Sequence, residues 1–525
     1  MFQLRLNDSP TREPPEMPVL TPQTPDWVRD AIFYQIYPDR FAKSLSLKKP
    51  SGLDAWGSTP TAHGYQGGDL VGVAERLDYI ADLGVNAIYF TPIFQSASNH
   101  RYHTHDYYQV DPMLGGNNAL KRLIDEAHAR NIRVVLDGVF NHASRGFFQF
   151  HDILENGENS VYLDWFTVHG WPINAYSHDR DPGYSAWWNL HALPKFNTDT
   201  PAVREFLWDV GRYWIDFGAD GWRLDVAHEV DDRSFWAEFR QSVHRANPDA
   251  YIVGEVWEAG DFATLTDFDQ AIDRTHEATR WLRGDCWDAV MNYLFTRICF
   301  AFFIGDNVDV KEMARTSFKA IDEPGAAAFR RHVEKLLTHY HPNSTAVMMN
   351  VLGSHDLARF LHFARGDSSA LRLATLFQMT FPGAPSIYYG DEIGLPGGHD
   401  PDNRRAFPWD RTDTWDHGLL HEVQRLIALR NNHPSLRRGS FVFLDAVGDV
   451  AAYLRQLDGE SVVVVINAGR QTQRVDLPML GHLADGLTLT EAWTHKPIPV
   501  EAGSIRAIDL APRSGRVFVH GSSAP

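Results

Sequence analysis

Two acidic residues stand 30 positions apart in this chain of 525 residues: Asp225 in Gly-Trp-Arg-Leu-Asp-Val-Ala and Glu255 in Tyr-Ile-Val-Gly-Glu-Val-Trp. A separation of about 30 residues is also the length of one strand-helix-strand unit. Each acid follows a short apolar run, so both carboxyl groups are expected at the C-terminal ends of neighbouring parallel strands, facing one cleft. Paired carboxylates in such a place suit the cleavage of a glycosidic bond. Two further strand ends carry polar residues where apolar ones would be expected: Asp137-Gly-Val-Phe-Asn141-His142 and Ser354-His355-Asp356. A lone Asp after a strand is most often a cap or turn former. Four polar clusters at strand ends are harder to explain that way, because burying that much charge without a use is costly.

The chemistry suggests unequal roles. A retaining glycosidase needs one ionised carboxylate as nucleophile and one protonated carboxyl as acid. Asp225 lies two residues after Arg223, and residues i and i+2 of a strand share a face. A cation there would lower its pKa, which makes Asp225 the expected nucleophile. Glu255 precedes Val256 and Trp257, an apolar setting expected to raise its pKa and make it the acid/base. Asp356 is expected to hold sugar hydroxyls in the transition state, and His142 and His355 to hydrogen-bond the same sugar.

These side chains must be positioned by a regular scaffold. Short apolar runs alternate with amphipathic stretches, the pattern of α/β folds. Eight runs read as strands: 31–36, 85–90, 133–137, 221–225, 251–255, 289–293, 346–352 and 386–389. Helical periodicity covers 120–130, 201–217 and 235–246. The pattern predicts a (β/α)8 TIM barrel over residues 26–436, with its site at the C-terminal strand ends. Residues 142–195, rich in aromatic residues, Gly and His, read as a lid subdomain inserted after strand 3. Residues 437–525 change to short strands at 450–457, 461–467, 473–477 and 515–520, a C-terminal antiparallel β-sandwich. Residues 1–25 read as a flexible tail.

Composition narrows the partners. A net charge of −18 argues against nucleic acid and anionic membrane, which reward Lys/Arg clusters. No apolar run is long enough to span a membrane. Two cysteines, Cys286 and Cys299, make no zinc spacing and suit a reducing, cytoplasmic compartment. The 12 % aromatic content serves either a large core or sugar-stacking surfaces.

At the residues 137–142, 221–228, 254–257 and 350–356 the chain resembles the α-amylase superfamily, glycoside hydrolase family 13, from about Trp27 to Trp409. The resemblance implies Asp225 as nucleophile, Glu255 as proton donor and Asp356 as transition-state stabiliser. It further implies sugar contacts from Tyr107, His142, Arg223 and His355. Leu193-Pro-Lys-Phe-Asn197, Tyr65-Gln-Gly-Gly-Asp-Leu70 and Trp257 are similar to the neopullulanase, cyclomaltodextrinase and maltodextrin glucosidase subgroup, in which Trp257 would line the acceptor side. The barrel begins almost at once, without the N-terminal β domain usual there. The implied substrate is an α-glucan oligosaccharide, for a monomer or homodimer.

Three other features bear on cofactors and sugar contacts. His103-Thr-His105-Asp106 offers too few ligands for zinc. The loop after Phe41 reads Ala-Lys-Ser-Leu-Ser-Leu-Lys-Lys and lacks the oxygen cluster calcium needs; no cofactor is expected to be required, and calcium is left open only at another site, to which Asn141 could contribute. Asp402, Arg404 and Arg405 form either a structural ion pair or, by the resemblance, the border of the sugar sites, with Arg405 as the candidate contact. The reading is a retaining hydrolase of α-1,4 glucosidic bonds in short maltodextrins, pullulan-like oligosaccharides or cyclodextrins, with α-1,6 bonds left open as a second target. Its alternatives are a glucosyltransferase or a trehalose- or sucrose-converting enzyme of the same fold, and a non-catalytic sugar-binding protein.

Overall fold

The computed structural model describes residues 21–177, 179–256, 276–316 and 325–521. Most of the expected N-terminal tail, and the candidate contact Trp257, lie outside the described residues.

Eight parallel strands close into a barrel: β1 (Phe33–Ile36), β2 (Ala87–Phe90), β3 (Arg133–Gly138), β4 (Gly221–Leu224), β5 (Tyr251–Gly254), β6 (Ala289–Asn292), β7 (Met349–Val351) and β8 (Ala384–Tyr388). Each pairs with the next, and β8 pairs with β1. The strands are apolar and almost wholly buried, as a sheet covered on both faces by side chains requires. All eight predicted strands are present, with shifted ends. β4 and β5 stop one residue short, so Asp225 and Glu255 are the first residues beyond their strands. Tyr293 opens a helix, Tyr293–Cys299, instead of closing β6.

Helices clothe the barrel, among them α1 (Gly116–His128), α2 (Pro201–Phe217), α3 (Arg233–Ala246), α4 (Ser368–Thr380) and α5 (His417–Asn432). The buried side of α1 is Ala119, Leu120, Leu123, Ile124 and Ala127, one apolar stripe at helical spacing. Pro201 occupies the first turn of α2, where a missing N–H costs nothing. The Asp232 carboxylate accepts from the Ser234 and Phe235 N–H groups and caps α3.

Between β3 and α2 the chain leaves the barrel. Among its described residues this excursion contains one helix, Phe148–Asn156, and several single turns. It is pinned back by bridges pairing His142 with Lys195, Phe166 with Phe196 and Ala186 with Pro194. Phe147, Phe150, Phe166, Tyr184 and Phe196 pack its interior.

The C-terminal strands are β9 (Ser440–Val447), β10 (Val450–Leu457), β11 (Glu460–Asn467), β12 (Gln473–Pro478), β13 (Thr488–Glu491), β14 (Pro497–Pro499), β15 (Ser504–Leu510) and β16 (Ser514–His520). Six form an antiparallel sheet in the order β9-β10-β11-β16-β13-β14, and β12 pairs with β15 in a second sheet. Alternation along β10 and β11 splits their side chains between two cores. Ala451, Tyr453, Val462, Val464 and Ile466 belong to the barrel's core. Ala452, Leu454, Val463 and Val465 face a second core with Leu477, Ile505 and Ile508. Arg455 seals the junction, donating from Nη1 to the Thr380 carbonyl at 2.5 Å and the Leu436 carbonyl at 2.8 Å.

Candidate active site

The register of the barrel sets Asp137 of β3 directly beside Arg223 of β4. Both point inward, and Asp225, two residues after Arg223, follows on the same side. The Arg223 guanidinium is fully buried and becomes the centre of the site. Its Nη1 donates to both Asp137 oxygens at 3.1 and 3.0 Å and to Asp225 Oδ1 at 3.0 Å. Its Nη2 forms a 2.5 Å ion pair with Glu255 Oε1. One cation therefore joins three acids from three adjacent strands.

Local backbone aims the two outer acids. Val226 sits in the left-handed region at φ 36°, ψ 44°, a strained conformation for a β-branched residue. That turn directs the Val226 N–H at Glu255 Oε2, 3.1 Å away. Before Glu255, a Cβ on Gly254 would lie 2.5 Å from the Trp287 ring, so only glycine lets β5 end against that indole.

Asp356 follows β7 and is the most accessible of these acids, with 28 % of its side chain exposed. Its carboxylate lies 3.2 Å from His355 Nε2 and 3.7 Å from Arg404. The Gln35 amide donates to His355 Nδ1 at 2.8 Å, so Nε2 carries the ring proton. That nitrogen lies 2.5 Å from the Tyr102 hydroxyl, which donates to Asp137 Oδ2 at 3.1 Å. Tyr102 also stacks on His355, with centroids 5.5 Å apart and planes within 6°. His142, after β3, stacks on Trp187. Burial pushes the His142 imidazole down to about 3, so it meets a ligand as a neutral ring.

The electrostatics differ from the sequence expectation. Asp225 is 7 % exposed, and burial raises its pKa well above the ordinary range despite Arg223. Arg223 is shared, and its shortest contact is with Glu255, so it does not single out Asp225 for ionisation. Glu255, expected in an apolar setting, instead meets a guanidinium and a backbone N–H. Burial also lifts Asp137 to about 6, and burial together with Glu255 lifts Asp356 to about 7. Asp137, Asp225 and Asp356 are thus all raised despite Arg223 and Arg404, as crowded buried acids are.

Asp225, Glu255, Asp356, Arg223 and His355 thus converge on one place, with His142 beside the Tyr102 backbone. Tyr107 does not. It is 0 % exposed, ringed by Phe140, Phe147, Phe196 and Phe206. Its hydroxyl lies 2.8 Å from the carbonyls of both Val139 and His142. It is a core residue holding the loop after β3, and Tyr102, five residues earlier, is the tyrosine of the cleft. Arg405 takes the first of the two forms expected for its loop, a two-pronged ion pair with Asp402 at 2.8 and 3.0 Å. Its neighbour Arg404 reaches Asp356 and donates to the His355 carbonyl at 2.9 Å. Arg404 also borders a cavity of about 650 Å³ with His100, His103, Arg145, Tyr176 and Asp400. Sequence reasoning missed Tyr102 and Gln35; it named Arg404 in the loop after strand 8 but chose Arg405 as the contact.

Comparison with known proteins agrees with this geometry. Residues 35–439 match the α-amylase catalytic domain, and residues 441–517 match the maltogenic amylase C-terminal domain. A cyclomaltodextrinase from Bacillus sp is 45 % identical over 86 % of this chain and 76 % of its own length. Neopullulanase 2 of Thermoactinomyces vulgaris is 39 % identical over 95 % of this chain and 79 % of its own. The solved debranching enzyme of Nostoc punctiforme, in its native form, is 45 % identical and superposes with a TM-score of 0.84, covering 95 % of this chain and all of that one. With its closed barrel, its acid cluster around Arg223 and these matches along nearly its whole length, the chain belongs to the α-amylase family of glycoside hydrolases.

Proposed function

We propose that this glycoside hydrolase cleaves α-1,4 and α-1,6 glucosidic bonds of short maltodextrins, pullulan-like oligosaccharides or cyclodextrins, with retention at the anomeric carbon. The observation that carries the reading is the clamp in which the two ends of Arg223 hold Asp225 and Glu255 at the tips of β4 and β5. In this mechanism Glu255 protonates the leaving oxygen while Asp225 attacks the anomeric carbon and forms a glycosyl-enzyme. Glu255 then takes a proton from water, which releases the sugar. A second sugar in place of that water gives transglycosylation. Asp356 and His355 hold hydroxyls of the reacting ring, and Tyr102 supports them through Asp137.

The substrate class is supported by the names of the relatives, a cyclomaltodextrinase, a neopullulanase and a debranching enzyme. None of these steps calls on a metal. The loop after Phe41 carries its own cation, with Lys49 Nζ 2.7 Å from Asp69. Among the described residues no helix is long and apolar enough to cross a membrane, and the buried thiols of Cys286 and Cys299 support a reducing, cytoplasmic setting. A product profile on maltotriose, panose, pullulan and β-cyclodextrin tests the reading. A net rise in reducing ends is expected; conversion without such a rise would indicate a transferase or isomerase instead.

A further inference from the structure

An aromatic stack begins at His142, beside the backbone of the cleft residue Tyr102. Trp187 lies parallel to His142, 5.3 Å between centroids and 14° between planes. Trp188 lies parallel to Trp187 at 4.7 Å and 15°. One face of Trp188 is therefore covered by Trp187, yet the residue is 76 % exposed, which leaves its outer face to solvent. The backbone holds it there at a cost: Trp188 (φ 49°) and Asn189 (φ 57°) both occupy the left-handed region, an unusual place for two successive non-glycine residues. Such strain concentrates at binding sites. The loop is tied from behind by Trp187 N–H on the Leu193 carbonyl at 2.9 Å and Leu193 N–H on the Leu190 carbonyl at 2.8 Å. Trp187 Nε1 is buried, and among the described residues it has no hydrogen-bond partner.

We propose that Trp188 is a stacking platform for a glucosyl ring of the substrate chain, beyond the ring held at Asp225, Glu255 and Asp356. The inference rests on the reading of the protein as an α-glucan hydrolase and adds a determinant of chain-length preference to it. The face of an indole is electron-rich and attracts the polarised C–H groups on the face of a pyranose. The sugar's hydroxyls then project around the rim into water, which suits an exposed ring. Trp187 backs the platform and fixes its plane. The stack starts at His142, beside the Tyr102 whose hydroxyl reaches Asp137 and His355, so a chain leaving the acids on that side meets the same wall.

Two substitutions and two substrates test the platform. Trp188→Ala should lower kcat/KM for maltoheptaose about tenfold, or 1.4 kcal/mol, mainly through KM. The fall for maltotriose should be much smaller, and Trp188→Phe should restore most of the loss. An equal fall on both substrates, or none on either, overturns the proposal. Calorimetric binding of maltoheptaose in a Glu255→Gln background separates this from failure of the hydrolase reading. Binding weakened about tenfold by adding Trp188→Ala supports the platform even if the parent protein hydrolyses nothing. Equal binding with and without the substitution overturns it.

Discussion

Tyr102 and Tyr107 are five residues apart, and replacing each by Phe should produce opposite defects. Tyr102→Phe removes a hydroxyl that donates to Asp137 at 3.1 Å and lies 2.5 Å from His355 Nε2. Without that anchor His355 and Asp137 can drift, and a misplacement on the order of 1 Å costs about 10²-fold in rate, so kcat/KM on maltotriose should fall by about one to two orders of magnitude. The hydroxyl touches only groups of the cleft, so the melting temperature should move little. Tyr107→Phe instead deprives two buried carbonyls, those of Val139 and His142, of their 2.8 Å partner. Unsatisfied buried acceptors cost about 1–3 kcal/mol, so this variant should melt earlier while keeping most of its rate. Initial rates by reducing-end assay and melting by far-UV circular dichroism give both readouts on the same preparations. If Tyr107→Phe loses as much activity as Tyr102→Phe with no shift in melting, the assignment of Tyr102 to the cleft is wrong.

Asp225→Asn should reduce turnover to background, and Glu255→Gln should lower it by about 10²–10⁴-fold on substrates with poor leaving groups; a turnover close to that of the parent in either would remove that residue from its role. Proton NMR of early hydrolysis should detect the α-anomer first, and β-anomer first would exclude retention. Burial and Glu255 raise the Asp356 carboxyl to about 7, above its unfolded value of about 4. Its contribution to stability is then fully present below about pH 4 and lost as pH rises through about 7. Asp356→Asn should therefore melt above the parent at pH 8, with the gap closing toward pH 4; a gap independent of pH would contradict this.

Strand positions were legible because parallel barrel strands are continuous apolar runs, and the i, i+2 rule placed Arg223 and Asp225 on one side. The choice between Tyr102 and Tyr107 was not legible. Tyr107 lies on a hairpin, Phe94–Ser96 with Thr104–Val110, whose register shifts twice, so period-two counting from His103 or Asp106 loses its phase. The sharing of Arg223 was hidden for a different reason. Asp137 and Glu255 are remote from it in sequence, and only the register of β3, β4 and β5 brings Asp137 to the Nη1 that also holds Asp225, and Glu255 to Nη2. Likewise, nothing near Arg404 signals Asp356 as its neighbour, since that approach depends on how the loop after β8 folds back over β7.

The division of β10 and β11 between two cores bears on how the protein can be handled. Cutting the chain after α5 would strip Tyr453, Val462, Val464 and Ile466 from the barrel and leave α4 with an uncovered apolar flank. It would also remove Arg455 from the Thr380 and Leu436 carbonyls. The boundary that divides the chain into two family matches is thus a poor place to sever it: such a truncated barrel is expected to aggregate, and the intact chain to unfold in a single transition.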